Sequence, residues 1–328
     1  MSVLSLTAAR VNNRLNLREE GDSLRERQQA KVRVGSHTSV LLKEVLAQLQ
    51  IKDGEQVVDA TAGQGGHSVA ILESTHNTKV LALDADPVAV EIARTCLAQF
   101  GERAEVVESN FGELEKVLHH KGLKTIDKAL FDLGWNSGQL GDGRGFSFLV
   151  DEPLNMSYGT KSASGFTAAQ ALNEWDEETL ANVFYGYGEE RFSRRIAKAI
   201  VERREVQPIQ TTLELVEIIR DSTPSLYHRG RLHFATRTFQ ALRMAVNDEL
   251  GMIQKGVTAA WEHVAVGGRV AVISFHSVED RAVKRLFADF VKQGGRLVVK
   301  KPLVAERAEI TENPRSRSAK LRVIEKTK

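Results

Sequence analysis

The chain has 328 residues, 42% of them hydrophobic and 27% charged, with a formal net charge of +2. That balance excludes a disordered or collagen-like chain, and no apolar run approaches the roughly 20 residues of a membrane span. The single cysteine, Cys96, excludes an internal disulfide and a cysteine-built zinc site, and the length suits one large domain or two moderate ones.

Residues 1–35 are polar and arginine-rich without periodicity, and are expected to form a flexible N-terminal extension. Met1–Arg18 lacks acids, as organelle transit segments do, but Glu19, Glu20 and Asp22 follow and there is no apolar signal core. A cytoplasmic protein is the expectation, with organelle import the alternative. Val40, Leu41, Val45, Leu46 and Leu49 predict a helix over 39–50, with Ser36 and Thr38 as candidate caps. A β-rich run at 56–60 leads through Thr61-Ala62-Gly63-Gln64-Gly65-Gly66-His67 into a helix over 68–73. A buried strand at 79–84, a helix opened by Pro87 and reaching about 99, and strands at 104–108 and 126–133 follow. Strand–helix alternation of this kind predicts a parallel sheet with helices on both faces.

The alternation stops near Gly134. Residues 135–165 are glycine- and serine-rich, and helical patterns follow at 166–172, 179–183, 192–204, 213–220 and 234–250. Strand 269–275, helix 278–291 and strands 297–300 and 321–324 complete the chain, the last two suiting an antiparallel hairpin at the sheet edge. The expectation is one α/β domain interrupted by a helical insert: core at 36–140 and 236–328, insert at 141–235. Basic charge is concentrated in the second half. Residues 191–243 hold 11 lysines and arginines against five acids, and residues 291–328 hold 11 against four. Such blocks suit a phosphate-binding face, or equally a solvated helix face.

A glycine turn between strand and helix suits an anion or nucleotide, because the backbone approaches closely and the helix start offers free N–H groups. Asp84, 21 residues beyond Gly63 at the next strand end, is placed to bind ribose hydroxyls. The alternative is a tight turn with a capping acid. The spacing is Gly-x-Gly-Gly, with Ser68 where a dinucleotide fingerprint has its third glycine. That favours S-adenosylmethionine over a nicotinamide dinucleotide, with backbone at Gly65, Gly66 and His67 serving its amino-acid end and Asp59 facing its ammonium. Asp132 ends the fourth strand at the same edge, where open α/β sheets place ligands, and Trp135 to Gln139 would line that crevice. No metal site is expected, since the histidines lack ligand spacing with partner carboxylates.

The runs His37-Thr38-Ser39-Val40-Leu41-Leu42-Lys43-Glu44-Val45, Gly65-Gly66-His67 and Arg144-Gly145-Phe146-Ser147-Phe148 resemble one family. Tyr187-Gly188-Glu189-Glu190-Arg191, Ala235 to Arg243, Ser274-Phe275-His276-Ser277-Val278-Glu279-Asp280-Arg281 and Glu312 to Ser318 do so too. In order along the chain, they are similar to the bacterial small-subunit ribosomal RNA cytosine-N4 methyltransferases. The resemblance implies a class I S-adenosylmethionine-dependent methyltransferase fold, a mostly parallel sheet with an antiparallel last strand. It implies S-adenosylmethionine as donor and a decoding-region cytosine of the small ribosomal subunit as acceptor. Cofactor contacts then fall on Gly65, Gly66, His67, Asp84, Phe111, Asp132 and Gln139. Asp132, Asn136 and His276 are the candidates for holding the amine and taking its proton. Trp135 and Phe146 are candidates to stack on the flipped base, though Phe146 equally suits a core. Arg191, Arg194, Arg195, Arg237, Arg243, Arg315 and Arg317 would grip RNA phosphates. Monomer and homodimer both remain open.

Two runs depart from the family. Asn136-Ser137-Gly138-Gln139-Leu140-Gly141 lacks its Ser-Ser-Pro-Gln-Leu-Asp, and Pro153-Leu154-Asn155-Met156-Ser157-Tyr158 lacks the acid and arginine of its Pro-Leu-Asp-Met-Arg-Met. The alternatives are therefore a weakened relative that binds RNA without methylating, or a methyltransferase for another RNA.

Overall fold

The computed structural model describes residues 39–134, 143–158 and 166–328. The chain divides into two units, Met1–Thr38 and Ser39–Lys328, and the account below concerns the second. The expected caps Ser36 and Thr38, like Trp135, Asn136 and Gln139, lie outside the described residues.

The core alternates as its sequence predicts. Helix α1 (Leu42–Leu49) precedes β1 (Gln56–Asp59), α2 (Gly66–Glu73), β2 (Lys79–Asp84), α3 (Pro87–Leu97), β3 (Ala104–Glu108), α4 (Leu114–His120) and β4 (Ile126–Asp132). Helix α1 starts later than expected: Leu41 takes a left-handed φ of 53°, and its N–H donates to Glu309 Oε1 at 2.7 Å. Helix α3 is started by Pro87 at its first turn and by Asp86, whose carboxylate accepts from Val88 N–H at 2.9 Å.

A helical stretch follows: α5 (Ala168–Glu174), α6 (Glu177–Gly188), α7 (Ser193–Val206), α8 (Thr212–Ser222) and α9 (Thr236–Val246). Then α10 (Glu249–His263), β5 (Val264–Ser274), α11 (Ser277–Lys292), β6 (Gly295–Leu297), α12 (Arg307–Glu312) and β7 (Lys320–Lys326) finish the chain. The helix expected over 234–250 is two helices. Asp248 turns left-handed at φ 47° between them, because the two bury against different partners. Phe239, Leu242 and Val246 of α9 join the helical cluster, whereas Ile253, Val257 and Trp261 of α10 join the sheet. The helical cluster thus runs past residue 235, the expected boundary. Strand β6 also lies earlier than the expected 297–300.

The seven strands run β3-β2-β1-β4-β5-β7-β6, with β1 to β5 parallel and β7 antiparallel to both β5 and β6. This is the class I methyltransferase sheet with its antiparallel edge. Alternating residues feed its two faces. Val58, Leu81, Ala129, Phe131 and Val272 pack on one, and Val57, Ala82, Leu130, Ala271 and Ile273 on the other. Burial on both faces is why these strands read as unbroken apolar runs. Strand order reverses beside β1, so the ends of β1, β2 and β4 open one crevice at the carboxyl edge.

Candidate active site at the carboxyl edge of the sheet

The crevice floor is built from short-range constraints around the glycine turn. Gly65 sits at φ 87°, a conformation few side-chain-bearing residues adopt, and caps α2 without a side-chain hydrogen bond of its own. Asp84 braces the turn: its Oδ2 accepts from Gly63 N–H at 2.8 Å and its Oδ1 from Asp86 N–H at 2.9 Å. Burial nevertheless pushes its carboxyl above the ordinary range. A half-buried acid fixed beside a glycine turn and an open helix start suits a ribose and an amino-acid group together. The residues present therefore fit S-adenosylmethionine.

Three further titratable groups meet beneath this cradle. Asp59 is buried, accepts from Ser68 Oγ–H at 2.6 Å, and has its carboxyl pushed up by that burial. His67 is also buried, with Nε2 3.1 Å from the Val40 carbonyl. A carbonyl only accepts, so Nε2 donates to it, and Nδ1 lies 3.8 Å from Asp132 Oδ2. Asp132 is held by its backbone N–H, which donates to Thr61 Oγ1 at 2.6 Å, while its Oδ1 is buried without a hydrogen-bond partner among the described residues. Burial and, further down, the Asp59 charge push its carboxyl up to about 6, against the opposing pull of His67 and Arg315. A carboxylate with an unsatisfied oxygen and that pKa is suited to accept a proton near neutrality.

Phe111 follows β3 on a single 3-10 turn and meets Phe131 edge-on at 5.9 Å. Its remaining surface leaves it partly buried against the sheet cluster.

Beyond the strand ends lies a cavity of about 440 Å³ between sheet and helical cluster. Phe146, Phe148 and Phe239 give it an aromatic wall, while Gly134, His276 and Arg315 bound it from the core. Phe148 stacks on His233 at 4.6 Å, and Phe146 on Tyr158 at 5.6 Å. Phe146 thus belongs to the core cluster and lines the cavity as well.

His276 caps α11, its Nδ1 accepting from Glu279 N–H at 3.3 Å. Its Nε2 lies 3.0 Å from Glu279 Oε1 without hydrogen-bond geometry. Behind this wall, Arg243 donates twice to Glu249, at 2.8 and 3.1 Å, and Tyr158 O–H donates to the same carboxylate at 2.8 Å. Burial opposes the Arg243 charge, but Glu249 more than offsets it and raises the guanidinium above its ordinary value. Burial likewise pushes the Tyr158 hydroxyl well above its ordinary value. Among the described residues, Glu249, His276 and Glu279 bring potential ligand atoms within 4.8 Å of one another. Arg243 and Tyr158 already occupy the Glu249 carboxylate, which satisfies it without an ion.

The cationic candidates separate. Arg191, Arg194 and Arg195 are exposed around a cleft of about 280 Å³ that Tyr185 also lines, itself 68% exposed. Arg191 lies over the Phe192 and Tyr227 rings, at 4.8 and 5.0 Å. Arg237 donates to the Glu189 carbonyl at 3.0 Å, and Arg243 is turned inward to Glu249. Arg315 and Arg317 are exposed, and Arg315 reaches the cavity itself. Sequence reasoning missed Glu249 and Tyr158. The signal for the Arg243–Glu249 pair was a basic residue six positions before an acid across a helix break, and Tyr158, 91 positions from Glu249, had none.

A model of the MraW methylase family matches residues 35–327. Similar curated proteins named ribosomal RNA small subunit methyltransferase H include those of Brevibacillus brevis and Geobacter sulfurreducens. The first is 43% identical over 88% of this chain and 98% of its own, the second 45% over 89% and 99%. That of Trichormus variabilis is 45% identical over 89% of this chain and 92% of its own. Among solved structures, an rRNA methylase from Streptococcus thermophilus is similar at TM-score 0.42 and 12% identity, covering 89% of this chain and 100% of its own. A Streptococcus mutans protein in complex with SAH is similar at TM-score 0.42 and 14% identity, covering 88% of this chain and 99% of its own.

Proposed function

The chain belongs to the MraW methylase family, and from that premise we propose that it methylates the exocyclic N4 amine of a cytosine in the decoding region of small-subunit ribosomal RNA. The coarser activity, S-adenosylmethionine-dependent methylation of small-subunit rRNA, follows from family membership and full-length relatives of that name. The observation that supports the finer reading is Asp132: a shielded carboxylate at the strand end, partly unsatisfied among the described residues, two positions before Gly134, which lines a cavity large enough for a base.

When bound, S-adenosylmethionine supplies an electrophilic methyl group. Gly65, Gly66 and His67 would hold its amino-acid end, Asp84 its ribose, and Phe111 its adenine. Asp132 orients the N4 amine by accepting from one N–H, then takes that proton as the nitrogen lone pair is committed to the new N–C bond. Asn136 and Gln139 belong to the adjoining segment and complete this proposed set. His276 bounds the cavity from the α11 side, and the aromatic wall takes the base once it has left its stack. Arg191, Arg194, Arg195, Arg315 and Arg317 supply phosphate contacts. Arg237 helps join the helices, and Arg243 is assigned to the cavity wall instead. Among the described residues no helix is long and apolar enough to cross a membrane; the relatives' ribosomal substrate supports a cytoplasmic site of action.

The second departure from the family is readable in place, whereas the first, at 136–141, lies outside the described residues. Asn155 is exposed, whereas Ser157 is buried, and the neighbouring Tyr158 hydroxyl satisfies Glu249. An arginine is therefore not required there to satisfy that acid. Incubation with labelled S-adenosylmethionine and small subunits lacking the mark, followed by nucleoside mass spectrometry, is expected to give N4-methylcytidine. Label on another nucleoside, or cofactor binding without transfer, would overturn the reading and favour another RNA target or a binding protein.

A further inference from the structure

Two sequence runs that the chemistry above leaves largely unused, Tyr187 to Arg191 and Ser274 to Arg281, meet in space. Glu189 closes helix α6 in a left-handed conformation, φ 51° and ψ 34°. Glycine is the residue favoured at that position, and glutamate is strained there. The side chain accounts for its presence. Its Oε2 accepts from Ser277 Oγ–H at 2.6 Å, and its Oε1 accepts from the Arg281 guanidinium at 3.0 Å. Both partners belong to α11, and a carboxylate at a helix start also complements the positive end of its dipole. Ser277 is the residue next to His276, the α11 cap that bounds the cavity.

The surroundings fix Glu189 from the helical side as well. A Cβ on Gly188 would stand 2.4 Å from the Arg237 carbonyl oxygen, so α6 and α9 approach as closely as backbones allow. Arg237 in turn donates to the Glu189 carbonyl. Next to it, Glu190 is fully buried, accepting from Phe192 N–H at 2.8 Å and from the Tyr227 hydroxyl. The C-terminal turn of α6 is thus bonded to the insert through its backbone, and the Glu189 side chain joins it to α11.

We propose that Glu189 is a positioning residue that locks the helical insert onto the start of α11 and so sets His276 and the aromatic wall over the crevice. The proposal rests on the methyl-transfer reading for its effect on rate, and on geometry alone for the lock. The pair is about half exposed, so its contribution to stability is small and its role is alignment.

Glu189→Gly separates strain from function. It removes the lock and relieves the backbone, so Tm is expected to hold or rise and S-adenosylmethionine affinity to stay within about twofold. The kcat on small subunits is expected to fall about tenfold with KM little changed. Glu189→Gln, which keeps an acceptor for Ser277, should recover much of that loss. Unchanged kcat in Glu189→Gly, or parallel loss of Tm and cofactor affinity, overturns the proposal. If the wild-type protein transfers no methyl group, the functional reading fails by itself. Amide exchange at Phe275, Glu279 and Asp280 then decides the lock: about tenfold faster exchange in Glu189→Gly sustains it, and unchanged exchange overturns it.

Discussion

The floor of the crevice and its wall treat a shielded carboxylate in opposite ways. On the wall, Glu249 is 10% exposed and meets Arg243 twice and the Tyr158 hydroxyl once. On the floor, Asp132 has one oxygen buried without a hydrogen bond among the described residues and a histidine nitrogen 3.8 Å from the other. The first arrangement commits both carboxylate oxygens to structural hydrogen bonds. The second leaves an acceptor free at the cost of a carboxyl raised to about 6. Unsatisfied shielded groups are expensive, so the contrast between these two carboxylates supports the proposal that Asp132 acts in the chemistry while Glu249 serves the structure.

Replacing these groups should separate the two roles. Asp132→Asn is expected to lower kcat by about 10²–10⁴-fold and yet to stabilise the fold. The Asp132 pKa in the folded state lies above its unfolded value. The contribution of its protonated form is therefore fully present below about pH 4 and lost as pH rises through about 6. At pH 7 the amide removes a penalty of up to about 3 kcal/mol, read from urea unfolding at pH 7 and pH 4. Glu249→Ala should do the reverse. It strands the Arg243 charge and is expected to cost about 3–5 kcal/mol, whereas Glu249→Leu with Arg243→Met should restore most of it.

Smaller effects sharpen the assignment of the cavity. Phe148→Ala removes a stacking surface and is expected to raise KM for small subunits by a factor corresponding to about 1–3 kcal/mol, with kcat less affected. Arg194→Ala, at an exposed position, should weaken binding less and reduce the salt slope of subunit affinity by about one. A filter-binding titration across salt concentrations checks it.

The parallel sheet was legible because its strands are buried on both faces and alternate with helices at short range. The glycine turn, Asp84 and Asp132 were legible for the same reason, since each lies at a strand end that periodicity locates. The break at Asn247-Asp248 was not, because both helices carry apolar residues and only their destinations differ. Glu249 with Tyr158, and Glu189 with Ser277, were hidden because the partners lie about 90 positions apart. Charge counting grouped Arg243 with the arginines expected to grip phosphate. Its partner Glu249 lies beyond a helix break that composition does not show.

The most direct test of Asp132 as proton acceptor is the pH dependence of single-turnover methyl transfer, wild type against Asp132→Asn. The account predicts a wild-type rate that climbs tenfold per pH unit below about 6 and levels above it, with that step absent from the residual rate of the variant. A wild-type rate flat from pH 5 to 8, or a variant that retains the wild-type rate, would contradict it.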